Sequence, residues 1–284
     1  MKKYSLIRIS LIAILTALFI SSCAVKKEEE KKDDESESLV KVIRFEEKEM
    51  EYFRFGNREG RKLIILPGLF LKSVMGSADA VTAAYDLLAK DYDDVYLFDH
   101  IRIEPEGYSI KDMADDTVKA LKELGLKKVN LMGVSLGGMI SQMIAINHPD
   151  VVESIILCSA TSRIREKQRA LFENWKRLAE RRDLEDLMLS FGESVYSPSF
   201  YEQYKDIILA SGNGASELDY ANFIASINAM LYFDVYNELY KISCPMLALG
   251  AGEDKAVGVE ASNEIIEKLG CDHYIYEGYG HGVL

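Results

Sequence analysis

Residues 129–143, VNLMGVSLGGMISQM, constrain the fold of this chain more than any other stretch. A short apolar run ends in Gly133-Val134-Ser135-Leu136-Gly137, and a helical pattern begins at once. That order calls for a sharp strand-to-helix turn, because glycine two residues to either side of Ser135 lets the backbone strain without crowding the hydroxyl. The turn predicts a Ser135 hydroxyl held clear of a sheet. The dipole and free N–H groups of the following helix would point at that hydroxyl, where negative charge develops in acyl transfer. At ordinary Gly and Ser usage a G-x-S-x-G string arises by chance in roughly one chain in ten of this length, so its place between strand and helix carries the argument.

The same alternation runs through most of the chain, which is the signature of an α/β fold. Residues 39–45 and 49–55 read as two strands of a hairpin, and 62–66 as a buried strand ending in Pro67-Gly68-Leu69-Phe70. Residues 78–90 read as helix, 95–99 as strand and 110–124 as helix. After the turn, helix 136–147 is stopped by Pro149, and strand 154–158 follows. Strand 245–249, helix 260–269 and strand 273–276 complete the pattern. Residues 161–240 interrupt it with helices over 165–182, 184–195, 199–210 and 218–236, rich in Tyr, Phe and Met and carrying the single Trp, Trp175. The expected architecture is α/β, a mostly parallel sheet with helices on both faces. Its core is 39–160 with 241–284, and 161–240 is an inserted helical cap whose aromatics mainly pack helix on helix while a minority line a pocket. Ligands of such a sheet bind at the carboxyl ends of its strands, where 67–70, Ser135 and Ser159 converge.

The N-terminus reads differently. Lys2, Lys3 and Arg8 precede an apolar run over 9–20 that stops at Ser21-Ser22-Cys23, the pattern of an export signal over 1–22. The run is shorter than the roughly 20 residues of a membrane span. Ile20-Ser21-Ser22-Cys23 resembles the lipobox of bacterial lipoproteins, with Ile where Leu is commoner, and that resemblance implies a lipid-modified Cys23 anchored in the membrane outside the cytoplasm. Residues 24–38, AVKKEEEKKDDESES, have no apolar face and read as a disordered tether. The balance of 34 basic against 46 acidic residues gives a net charge of −12, which disfavours nucleic acid and strongly anionic substrates as partners. Cys158, Cys244 and Cys271 lack metal-ligand spacing, so neither a zinc site nor a disulfide framework is expected.

A serine hydroxyl is a weak nucleophile at neutral pH and needs an imidazole to take its proton and a carboxylate to orient that imidazole. Two loops after late strands carry such groups: Gly250-Ala251-Gly252-Glu253-Asp254 and Gly280-His281-Gly282. With the chain order Ser, Asp, His, the sequence from about residue 40 onward resembles the α/β-hydrolase superfamily, specifically its single-domain, cap-bearing esterase-like members. The resemblance implies Ser135 as nucleophile, His281 as general base and acid, and Asp254 as the orienting carboxylate. Asp254-Lys255-Ala256-Val257-Gly258 is similar to the acid loop of those proteins. Glu253 and Asp99 are the competing acids, Asp99 matching a structural strand-end Asp, and His148, His273 and His100 are weaker candidates for the base.

The resemblance further implies an oxyanion hole from the backbone N–H groups of Leu69 and Leu136, each donor contributing on the order of 3 kcal/mol in the transition state. Ester attack by Ser135 would give an acyl-enzyme cleared by water, with no metal or organic cofactor. Two departures stand out. Pro67 precedes Gly68 where relatives commonly carry His, which removes a brace of that loop. The sequence also stops at Leu284, three residues after His281, where relatives continue into another helix; either the sequence is incomplete or His281 sits on a fraying end. The leading function is hydrolysis of carboxylic esters, or related thioesters and lactones, with a neutral or apolar acyl group. A cofactor-free haloperoxidase or C–C hydrolase would use the same triad. An inactive binding lipoprotein and a membrane-surface acyltransferase remain alternatives.

Overall fold

A computed structural model describes residues 39–56, 59–78 and 91–282. Eight strands form one sheet: β1 (Val40–Phe45), β2 (Lys48–Phe55), β3 (Lys62–Leu66), β4 (Asp94–Ile101), β5 (Val129–Val134), β6 (Val152–Cys158), β7 (Met246–Ala251) and β8 (Asp272–Tyr276). Their order is β1-β2-β4-β3-β5-β6-β7-β8. β1 and β2 pair antiparallel as a tight hairpin with Phe45 opposite Lys48, and Glu46 takes a positive φ of 53° to close it. β2 is antiparallel to β4, and every later pairing is parallel. The sheet is thus α/β with an antiparallel edge. β3 and β5 are almost wholly buried, as continuous apolar strands between helical layers should be. Arg54 of β2 holds the buried Asp94 of β4 through two hydrogen bonds of 2.7 and 2.8 Å, so that interior charge is paired.

Helix α1 (Ile110–Glu123) begins at a capping box in which Ser109 and Asp112 satisfy each other's backbone N–H groups. Helix α2 (Leu136–Asn147) follows Ser135 directly and packs on β3, β5 and β6. Between β6 and β7 come four helices: α3 (Glu166–Glu180), α4 (Leu184–Val195), α5 (Pro198–Ser211) and α6 (Glu217–Leu231). Helix α7 (Val259–Leu269) lies against β7 and β8, ending at Gly270 in the left-handed conformation. The helix expected over 78–90 lies outside the described residues, apart from its first.

The helix expected over 218–236 stops at Leu231. Beyond it, Ile164 N–H donates to Phe233 O and Val235 N–H donates to Ser162 O, and Arg163 bridges Asp234. The chain entering the four-helix segment therefore pairs with the chain leaving it, and that pairing replaces the last helical turn. Arg163 and Arg165 also both engage Glu264 of α7, tying this crossing to the core.

The glycines of the turn are required by close approach. A Cβ on Gly137 would sit 2.1 Å from Leu66 O, and one on Gly133 would sit 2.4 Å from Gly137 O. Both obstacles are backbone atoms that cannot swing aside. We expect Gly137→Ala to lose roughly 2–3 kcal/mol of stability, the upper range of an overpacked core, as read by urea denaturation.

Candidate active site

Ser135 occupies the tip of the turn between β5 and α2 with φ 50° and ψ −110°. A β-carbon rarely tolerates that region, and the conformation persists because β5 and α2 are anchored on both sides. Ser135 N–H donates to Cys158 O at 2.9 Å, while Gly138 and Met139 N–H groups close the first helical turn on Ser135 O. The side chain is left free to point away from the sheet.

His281 meets it from the loop after β8. Its Nε2 lies 2.9 Å from Ser135 Oγ and its Nδ1 lies 2.8 Å from Asp254 Oδ2. A carboxylate oxygen can only accept, so Nδ1 carries the proton and Nε2 is the acceptor for the serine hydroxyl. The other oxygen of Asp254, Oδ1, accepts the N–H groups of Ala256 and Val257, both at 2.9 Å. All three side chains are buried: 8% exposed for Ser135, 8% for Asp254 and 7% for His281. His281 is not on a frayed end, because Gly282 N–H donates to Val195 O at 2.8 Å and the Gly280 backbone packs on Tyr196 and Ser197. Helix α4 thus holds the His281 loop in place.

The alternatives fall elsewhere. Glu253 is exposed, and its N–H donates to Tyr279 O. Asp99 accepts Ser73 Oγ–H at 2.5 Å and His100 N–H at 2.8 Å. His148 pairs with Asp115 at 2.7 Å, and His273 is exposed beside Cys271 O. Gly68 lies against Ser135, since a Cβ there would come within 3.4 Å of the serine Cβ. The Leu69 and Leu136 backbone N–H groups beside Ser135 donate to no protein acceptor among the described residues. Free amides flanking a buried serine can receive a developing oxyanion. No cluster of three metal-ligating side chains occurs among the described residues.

A cleft of about 50 Å³ opens at Ser135, walled by Phe172, Trp175, Phe191, Tyr196 and Met230. Phe172, Trp175 and Phe191 form a continuous ring cluster, with centroids 5.4 and 5.0 Å apart. Trp175 Nε1–H donates to Ser190 Oγ, which leaves only the apolar ring surface toward the cleft. Helical spacing flags these aromatics in the sequence but does not say which face the site. Gln168, from the first turn of α3, donates through Nε2 to Val257 O, so the four-helix segment also braces the loop that holds Asp254.

Glu104, in the loop after β4, is a polar residue that the sequence gives no reason to single out. Its carboxylate accepts Ser226 Oγ–H of α6 at 2.8 Å, and Asn222 bridges the same loop through Arg102 O and Glu104 N–H. Burial pushes the Glu104 carboxyl up to about 8, with the Asp99 charge adding to the rise and Ser226 opposing it. A carboxyl raised on folding favours the folded state most at low pH. That contribution is complete below the ordinary carboxyl value and is lost as pH rises to about 8, at up to about 1.4 kcal/mol per pH unit. Glu104→Gln is expected to flatten this loss when urea midpoints at pH 5.5 and 8.5 are compared.

Residues 63–284 match the family model described as alpha/beta hydrolase fold, and the chain belongs to that family. Among curated proteins it is similar to RutD of Serratia proteamaculans (strain 568), named as a proposed carbamate hydrolase, with 24% identity over 238 residues, 78% of this chain and 86% of that protein. Among solved structures it resembles MGS-M2, an α/β-hydrolase enzyme from a Medee basin deep-sea metagenome library, with a TM-score of 0.74 and 17% identity over 85% of this chain and 90% of that one. The enol-lactonase from Burkholderia xenovorans LB400 gives a TM-score of 0.73 and 18% identity, covering 85% and 93%. At those identities the structural likeness speaks for the fold alone.

Proposed function

We propose that this chain is a serine hydrolase of carboxylic esters. The observation that carries the reading is the unbroken hydrogen-bond line from Ser135 Oγ through His281 to Asp254, anchored on the Ala256 and Val257 amides. Ser135 Oγ attacks the ester carbonyl carbon as His281 Nε2 takes its proton. The carbonyl oxygen becomes an oxyanion between the Leu69 and Leu136 amides. As the tetrahedral centre collapses, imidazolium returns the proton to the leaving alcohol, and water then clears the acyl-serine by the same route. Asp254 stays ionised and steadies the imidazolium.

The size of the cleft supports a short acyl group. At roughly 10–15 Å³ per water, its 50 Å³ holds about four waters, close to the bulk of a butyryl chain. Carbamate cleavage is a second reading, favoured by the similarity to RutD, and requires the same attack on a carbonyl. The test is a stopped-flow burst with the full chain on p-nitrophenyl butyrate, p-nitrophenyl octanoate and a p-nitrophenyl dialkylcarbamate. The ester reading expects about one nitrophenolate per chain from butyrate, less from octanoate and slow turnover of the carbamate. Faster turnover of the carbamate than of either ester would move the assignment.

We further propose that residues 1–22 are an export signal and that Cys23 bears lipid, placing the hydrolase outside the cytoplasm on a membrane tether of 24–38. The support is the Ser21-Ser22-Cys23 pattern. None of the helices among the described residues is long and apolar enough to cross a membrane. Metabolic labelling with an alkynyl fatty acid should tag the wild-type chain and not Cys23→Ser; equal tagging, or none, would refute the anchor.

A further inference from the structure

A second cavity lies across the Gly68–Phe70 segment from Ser135. It measures about 240 Å³ against about 50 Å³ for the cleft at the serine, and the two share Gly68, Leu69 and Phe70 as a common wall. Their linings differ in kind. The smaller is aromatic, while the larger sets Ser73, Asp99, Glu104, Asn222 and Ser226 among apolar side chains such as Phe223. The larger and more polar of the two cavities therefore shares the Leu69 wall with the cleft at Ser135.

Glu51 aside, each charged group of that lining has a hydrogen-bond or ion-pair partner. Asp99 is taken up by Ser73 and the His100 N–H. At the mouth, Arg102 is drawn to Glu49, and Lys72 donates to Asn213 O. Burial keeps the Glu104 carboxyl protonated through neutral pH and pushes the His100 imidazole below its usual value, against the pull of Asp99. Glu51 aside, what remains to meet a ligand is a set of uncharged donors and acceptors. His100 Nε2 is itself sealed from solvent beneath this lining, so the uncharged groups presented by the wall are those of Ser73, Asn222 and Ser226.

Building on the ester-hydrolase reading, we propose that this cavity holds the alcohol side of the ester, and that the alcohol is a neutral unit with several hydroxyls, glyceryl or glycosyl in kind. The acyl chain then enters the aromatic cleft, and the scissile bond crosses the shared wall over Leu69. This divides the substrate by polarity at the point where it is cut.

The test compares 1-butyrylglycerol with propyl butyrate, which share the acyl group and the three-carbon alcohol and differ in two hydroxyls. Binding is measured by isothermal titration to the full chain carrying Ser135→Ala, so the readout needs no turnover. The expected dissociation constant is at least tenfold lower for 1-butyrylglycerol. Adding Ser226→Ala should erase at least fivefold of that preference, and Ser226→Thr should restore it. Equal affinity of the two esters for Ser135→Ala overturns the proposal, whatever the second substitutions do. So does a preference for propyl 3,4-dihydroxybutyrate over 1-butyrylglycerol, which would put the polar group on the acyl side. Failure of the hydrolase reading shows separately, as absence of a burst from wild-type chain on p-nitrophenyl butyrate.

Discussion

His281→Ala lowers kcat/KM for p-nitrophenyl butyrate by about five orders of magnitude, with the unfolding midpoint little changed. The size follows from how the three groups act as a unit, since loss of the base alone removes nearly all the rate that the triad supplies. His281 Nε2, at 2.9 Å, is the only nitrogen within hydrogen-bond reach of Ser135 Oγ among the described residues, so no neighbour can stand in for it. The residual rate should be that of a cleft with two free amides and no base, about 10³–10⁴ above water. Fold retention is expected because the His281 loop is fixed by backbone bonds, including Gly282 N–H to Val195 O. Circular dichroism and steady-state kinetics on the same preparation check both halves.

Asp254→Asn should cost about 10³–10⁴ in kcat with KM nearly unchanged. The geometry gives the reason. Oδ1 accepts two backbone N–H groups, and an amide nitrogen placed there would face two donors with a donor. Asparagine therefore keeps its oxygen toward Ala256 and Val257 and turns its NH₂ toward His281 Nδ1. That nitrogen must then accept, which moves the imidazole proton to Nε2, where it faces Ser135 instead of receiving from it. The side chain stays in place and the tautomer is wrong. Raising the pH should recover part of the rate in Asp254→Asn as hydroxide takes over the proton, and should do nothing comparable for His281→Ala.

The turn was legible in the sequence because its constraint is local. Gly133, Ser135 and Gly137 answer to contacts within one strand, one helix and the neighbouring β3, and the apolar run before them leaves no other register. The Asp254 and His281 loops could be picked out by chain order because each follows a strand, and these two late segments must then converge with the Ser135 turn at one end of the sheet. The hairpin was legible to within a residue. Long-range pairing was not. The end of α6 at Leu231 depends on Phe233 and Val235 bonding to Ile164 and Ser162, about 70 residues earlier, and nothing in the local pattern of 218–236 announces it. The division of aromatics between core and cleft was equally hidden, since Phe172, Trp175 and Phe191 follow the same helical spacing whether they face a helix or Ser135. Glu104 gave no signal because its burial is created by α6, whose Ser226 closes over the loop after β4, and a Glu in an Ile-Glu-Pro-Glu-Gly loop reads as surface.

The central claim is that Ser135 is a nucleophile activated by His281. Incubating the full chain with an alkyl fluorophosphonate and measuring intact mass, then mapping the adduct by peptide sequencing, tests it without assuming any substrate. One phosphonyl group per chain is expected, on Ser135, formed within minutes and absent from Ser135→Ala and His281→Ala. A folded wild-type chain that takes up no label, or carries it on another residue, would contradict it.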